Sequence, residues 1–108
     1  MGLLTSVMRM QYLQNHKSDL EYKIMLIAQT KAGLISSNGD LLQVGNDYDP
    51  SSPIVKTLQE RQAKMHLLEQ QLDARMAAYK AQLQMTETEM NSLRGEVQRD
   101  IQSSFSYR

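Results

Sequence analysis

Cysteine and tryptophan are both missing from this 108-residue chain, and phenylalanine occurs once. Without cysteine there is no disulfide, no zinc–thiolate site and no thiol nucleophile. Neither sign of charge is in excess, because twelve basic residues cancel twelve acidic ones. No field therefore draws the chain toward nucleic acid or an anionic membrane surface. Long apolar runs are lacking as well. The longest, Ile24 to Ala28, falls far short of the ~20 residues that cross a bilayer, so membrane insertion is not expected. The first residues, Met1 to Arg9, have neither the basic start nor the apolar stretch of a secretory leader. Met1-Gly2-x-x-x-Ser6 fits the myristoylation pattern in form, but a six-residue match is weak and one acyl chain binds membrane only marginally.

Proline is scarce too. Its two occurrences, Pro50 and Pro53, sit three residues apart, and none follows. From that point an apolar stripe runs to the end of the chain: Leu58, Arg61, Met65, Leu68, Leu72, Met76, Tyr79, Leu83, Thr86, Met90, Leu93, Val97, Ile101 and Phe105. Its mean spacing of about 3.6 residues is that of a straight α-helix. The intervening positions are rich in Gln, Glu, Lys and Ala, all good helix formers. Consecutive steps of four at Leu68, Leu72 and Met76 read as a stutter. Such a stutter disfavours a long zipper and favours nearly straight helices packed side by side.

The remaining elements complete an all-α antiparallel helical hairpin with a long C-terminal helix, packed in a helical assembly or bundle. One domain spans 1–108: a helix over about 3–35, a loop over about 36–52 and a helix over about 53–104. Ser36-Ser37-Asn38-Gly39-Asp40 and Gly45-Asn46-Asp47 carry turn chemistry. At the bend, Ser52 is a good N-cap and Pro53 suits the first helical position. Pro50 and Pro53 also hold the residues before them extended. Ser18-Asp19-Leu20-Glu21 has the form of a capping box, although the apolar face keeps its phase through Ser18 and favours an unbroken helix.

This hairpin leaves surface to cover. A first helix ending near Ile35 reaches back only to about Thr86, so Met90, Leu93, Val97, Ile101 and Phe105 are expected to lack an internal partner. Around Leu20, Ile24, Met25, Leu26 and Ile27 the apolar residues encircle the helix, and a helix apolar on several sides is covered on several sides. These ten residues are the expected contacts between subunits. Eight methionines suit contact surfaces that must adapt.

No chemistry competes with this reading. His16 and His66 have no acidic or histidine partner at metal-binding spacing. Asp47-x-Asp49-x-Ser51 opens like a calcium loop, but Ser52 and Leu58 stand where the glycine and the bidentate glutamate belong. There is no phosphate loop and no nucleophile elbow. Neither an enzyme, a cofactor nor a metal is expected.

The bend Asp49-Pro50-Ser51-Ser52-Pro53, the stripe from Leu58 to Leu83 and the ending Ile101-Gln102-Ser103-Ser104-Phe105-Ser106-Tyr107-Arg108 together resemble the needle subunits and inner-rod proteins of type III secretion systems. More distantly they resemble the small axial proteins of the flagellum. The resemblance implies a leaderless, exported or cell-surface subunit that polymerises into a filament, needle or tube, with other secretion components as further partners. The larger loop and the apolar N-terminal segment depart from that pattern and point to a rod-like or unfamiliar filament subunit. The alternatives are a cytoplasmic adaptor or chaperone-like module forming a closed dimer or tetramer, and a small phage or cell-division coiled-coil scaffold.

Overall fold

A computed structural model describes residues 2–106, and side chains as far as Ser104. Two helices account for almost all of it: α1, Leu3–Asn46, and α2, Pro53–Ser106. Among the described residues there is no strand, and the helices form an antiparallel hairpin. The chain divides into two units, each built from both helices. The first joins α1 through Lys23 to α2 from Ala78 onward; the second is Ile24–Ala77.

α1 is continuous past Ser18, where the Ser18–Glu21 capping box goes unused. One turn further along, Lys23 Nζ lies 2.9 Å from Asp19 Oδ2, an i,i+4 pair on an intact helix.

The loop is much shorter than the 36–52 expected from turn chemistry, since α1 runs on to Asn46. This corrects the end at about Ile35. Gly33, Gly39 and Gly45 each cost roughly 0.5–1 kcal/mol in a helix relative to alanine, so local preference does not hold this segment helical. Packing does. Leu34, Asn38, Leu41 and Gly45 continue the inward face of α1. In the second unit, Leu41 and Gly45 line the same shallow groove as Val55, Leu58 and Gln62 of α2. A methyl group at Gly45 would lie 3.7 Å from Leu58 Cδ1, so the two helices come close there.

The turn itself is held by short-range hydrogen bonds. The Ser51 N–H and hydroxyl both donate to Asp49 Oδ1, each at 3.0 Å. The Ser52 N–H donates to the Asp49 carbonyl at 2.9 Å, with Pro50 following Asp49, a common turn arrangement. Those two Ser51 bonds, backbone first, stabilise the charged carboxylate and hold the Asp49 carboxyl below the ordinary carboxylate range. Ser52 Oγ then accepts from the Ile54 N–H at 3.3 Å and caps α2. Pro53, at the first helical position, has no N–H to satisfy.

The inward residues revise the sequence reading of the helix face. Along α1 they are Ser6, Met10, Leu13, Lys17, Leu20, Ile24, Ile27, Lys31, Leu34, Asn38, Leu41 and Gly45, at steps alternating between four and three. Along α2 they run Val55, Leu58, Gln62, Met65, Glu69, Leu72, Met76, Tyr79, Leu83, Thr86, Met90, Leu93, Val97 and Asp100, again alternating three and four. That is the 3.5-residue period of a coiled coil, carried without a stutter. Gln62, Glu69 and Asp100 face inward where Arg61, Leu68 and Ile101 were expected, and those three are exposed. An apolar side chain one position off the seam satisfies a 3.6 period but misses the partner helix.

Candidate assembly surface

The longer α1 changes which residues are left uncovered. In the first unit Leu13, Met90 and Leu93 form a buried cluster with Met10 packed against it. Met90 is only 3% exposed and Leu93 only 4%. The expectation that both lie beyond the reach of α1 is therefore corrected: the helix that was to stop near Ile35 extends to Asn46 and draws its N-terminal turns alongside them. Leu20 and Ile27 are likewise buried within the chain. These four residues are hairpin core and present no surface to a neighbour. Ile24 and Val97 are partly buried at inward positions. Met25, Leu26 and Ile101 are exposed. Phe105 lies outside the described side chains.

Cover is nonetheless incomplete. Among the described residues only five hydrophobic side chains are buried, whereas Leu4, Met8, Tyr12, Tyr22 and Met85 are among the large ones in the first unit that remain exposed. The second unit exposes Met25, Leu26, Ile35, Leu42, Ile54, Leu67 and Leu68 as well. None of these residues except Met25 and Leu26 was singled out by the sequence as a contact. The signal for Leu4, Met8 and Tyr12 was their spacing of four, hidden because the inward face uses neighbouring residues of the same turns.

Polar contacts frame the exposed side of the first unit. Arg9 donates from Nε and Nη2 to Glu89 Oε1, at 3.0 and 2.7 Å. The Arg9 guanidinium also lies 5.2 Å from the centre of the Tyr12 ring, within cation–π range. Tyr12 in turn stacks on His16, the two rings nearly parallel with centres 6.1 Å apart. His16 is thereby a packing residue. His66 sits 3.5 Å from Gln70 in the second unit. Among the described residues no group of His, Asp or Glu is arranged to hold a metal. No described helix is long and apolar enough to cross a membrane.

Some polar groups are shut away from solvent. Ser6 is fully buried, and its hydroxyl, like Asn38 Oδ1, Glu96 Oε2 and Asp100 Oδ2, has no hydrogen-bond partner. Each such group opposes folding by about 1–3 kcal/mol. Ser6, Asn38 and Asp100 lie on the seam and make it less favourable than its apolar members suggest.

No protein-family model matches the chain, and neither a curated protein nor a solved structure matches it.

Proposed function

We propose that this chain is a self-assembling structural subunit that associates with further copies through the apolar sides of its hairpin. One observation carries the reading. Its accessible surface is 8134 Å², whereas a monomer of 12.4 kDa that buries its surface normally exposes ~6,100 Å². Large apolar side chains are part of that surface, with Leu4, Met8, Tyr12, Leu67 and Met85 each more than half exposed, and association with neighbours removes such surface from water. A chain without net charge approaches its own copies without mutual repulsion.

With Met90 and Leu93 covered from within, the drive toward assembly lies on the sides of the hairpin and not at an uncovered end. Side-by-side packing of this kind builds filaments and tubes, the form implied by the likeness to type III secretion needle and rod subunits. It equally builds a closed dimer or tetramer, which the adaptor reading requires.

Sedimentation of the purified chain over a wide concentration range, with electron microscopy of the same samples, tests the proposal. Fibres or discrete oligomers support it and tell the two forms apart. A species that stays monomeric at the highest concentration overturns it.

A further inference from the structure

We propose that a second copy of this chain packs antiparallel against a second face of α1, the ladder Met25, Ala28, Ala32, Ile35, Gly39 and Leu42. The inference rests on the self-association reading and adds to it the face, the direction and the pairing. Each of the six follows an inward residue by a single position, as Met25 follows Ile24 and Leu42 follows Leu41. One position is a rotation of about 100°, so the six share one side of α1, beside the hairpin seam. All are exposed, and the three large ones, Met25, Ile35 and Leu42, are 47%, 57% and 53% exposed. The whole ladder lies within the second unit.

Spacing identifies the occupant. The steps are three, four, three, four and three, the 3.5-residue period that stays against a neighbouring helix when the two wind together. Ala28, Ala32 and Gly39 keep the ladder shallow, and a methyl group at Gly39 would meet nothing within 4 Å, so a helix can approach closely there. Those steps also read the same from either end. A second copy running the opposite way therefore fills every layer: Met25 against the partner's Leu42, Ala28 against the partner's Gly39 and Ala32 against the partner's Ile35, each repeated by the two-fold axis. Charge agrees with this occupant. From Ile24 to Gly39, Lys31 is the one charged residue, and it turns inward to Asp73. The outer border of the ladder is Tyr22, Gln29, Ser36 and Gln43. A partner recognised through charge finds nothing to pair with on this face, whereas a copy brings the same uncharged face to it.

The absence of cysteine makes the pairing directly readable. Met25→Cys chains mixed with Leu42→Cys chains are expected to form an intermolecular disulfide on mild oxidation, and neither variant alone should do so. Across the two-fold pair, two copies of position 25 stand about 25 Å apart, far beyond the roughly 7 Å a disulfide spans between Cα atoms. Sedimentation equilibrium of the parent, Ala32→Glu and Ala74→Glu accompanies it. Ala74 is also exposed but lies on the side of α2 turned away from α1, midway between the inward Leu72 and Met76. Ala32→Glu should weaken association by about a hundredfold with helicity unchanged, since glutamate is a good helix former, while Ala74→Glu associates like the parent. Should Ala32→Glu lower helicity, the disulfide result decides. A parent that associates while the cysteine mixture stays unlinked, or while Ala32→Glu with full helicity associates equally well, overturns this face and leaves self-association standing. Linking of either cysteine variant alone as strongly as the mixture overturns the antiparallel pairing, and equal loss in Ala32→Glu and Ala74→Glu overturns the face. A monomeric parent overturns both readings.

Discussion

Lys31 of α1 holds Asp73 of α2 across the hairpin, Nζ to Oδ1 at 2.5 Å. Fourteen residues earlier on α1 and fourteen later on α2, Lys17 faces Glu87 at 3.7 Å. The two lysines occupy equivalent seam positions, and so do their two acids. Between and beyond the acids, at seven-residue intervals, stand His66, Lys80 and Arg94. Sliding one helix by a single heptad in either direction would bring Lys17 opposite Lys80 or Arg94, and Lys31 opposite His66 or Lys80. Apolar seam residues alone tolerate such a slip, because the 3.5 period repeats. The alternation of charge disfavours it, since a slipped register sets these lysines against other cationic residues.

Reversing one member of this pair should lower stability, and reversing both should recover much of the loss. Lys31→Glu places an anion opposite Asp73, so its urea midpoint is expected to fall. Lys31→Asp/Asp73→Lys should unfold nearer the parent. If the double reversal is no better than the single one, the pair does not set the register.

The same pair has a defined pH window. Its hydrogen bond to Asp73, and then the attraction of that carboxylate, raise the Lys31 pKa above the ordinary 10.5. A raised folded value means the contribution is complete below 10.5 and lost as pH climbs through the higher folded value. Asp49 behaves in the opposite sense. Its carboxyl is held down from 3.8 by the two Ser51 hydrogen bonds, so its contribution is present above that value and lost as pH falls through the lower folded one. Urea midpoints measured against pH should show the alkaline loss shrink in Asp73→Asn, with the Lys23–Asp19 pair keeping its share, and the acid loss shrink in Asp49→Asn.

Truncating the core should be costly within a single chain. Leu20 is 1% exposed, and Leu20→Ala should destabilise by about 2–5 kcal/mol. Leu93→Asp should reduce helicity itself, since it sets a charge among Leu13 and Met90. A Leu93→Asp chain with full helicity and an unchanged urea midpoint would contradict its assignment to the hairpin core.

Ser6→Ala should stabilise. The substitution removes a buried hydroxyl without a partner, worth about 1–3 kcal/mol, and installs a better helix former. Gly33→Ala and Gly39→Ala should each add about 0.5–1 kcal/mol, because a methyl group meets nothing within 4 Å at either position. Thermal and urea melts check all three. A lowered midpoint for Ser6→Ala would show that the hydroxyl is engaged.

At the bend, Ser52→Ala should cost about 0.5–2 kcal/mol through loss of the cap on Ile54. Ser52→Gly should cost only a few tenths. Equal melting of the Ser52→Ala variant and the parent would show that Pro53 starts α2 without help.

Two features were legible before any fold was known: that both arms are helical, and where the second begins. A capping serine followed by proline acts within one turn, and a long stripe without proline or paired turn residues leaves helix as the only regular way to bury one face. The end of α1 was not legible, because Gly33, Gly39 and Gly45 speak locally for a turn while Leu34 and Leu41 are held helical by α2, more than ten residues away in the chain. The choice of inward face belonged to packing for a related reason. Leu68 and Glu69 are adjacent, and a helix considered alone prefers to bury the leucine. Only winding around a partner at 3.5 residues per repeat turns Glu69 inward and leaves Leu68 outside.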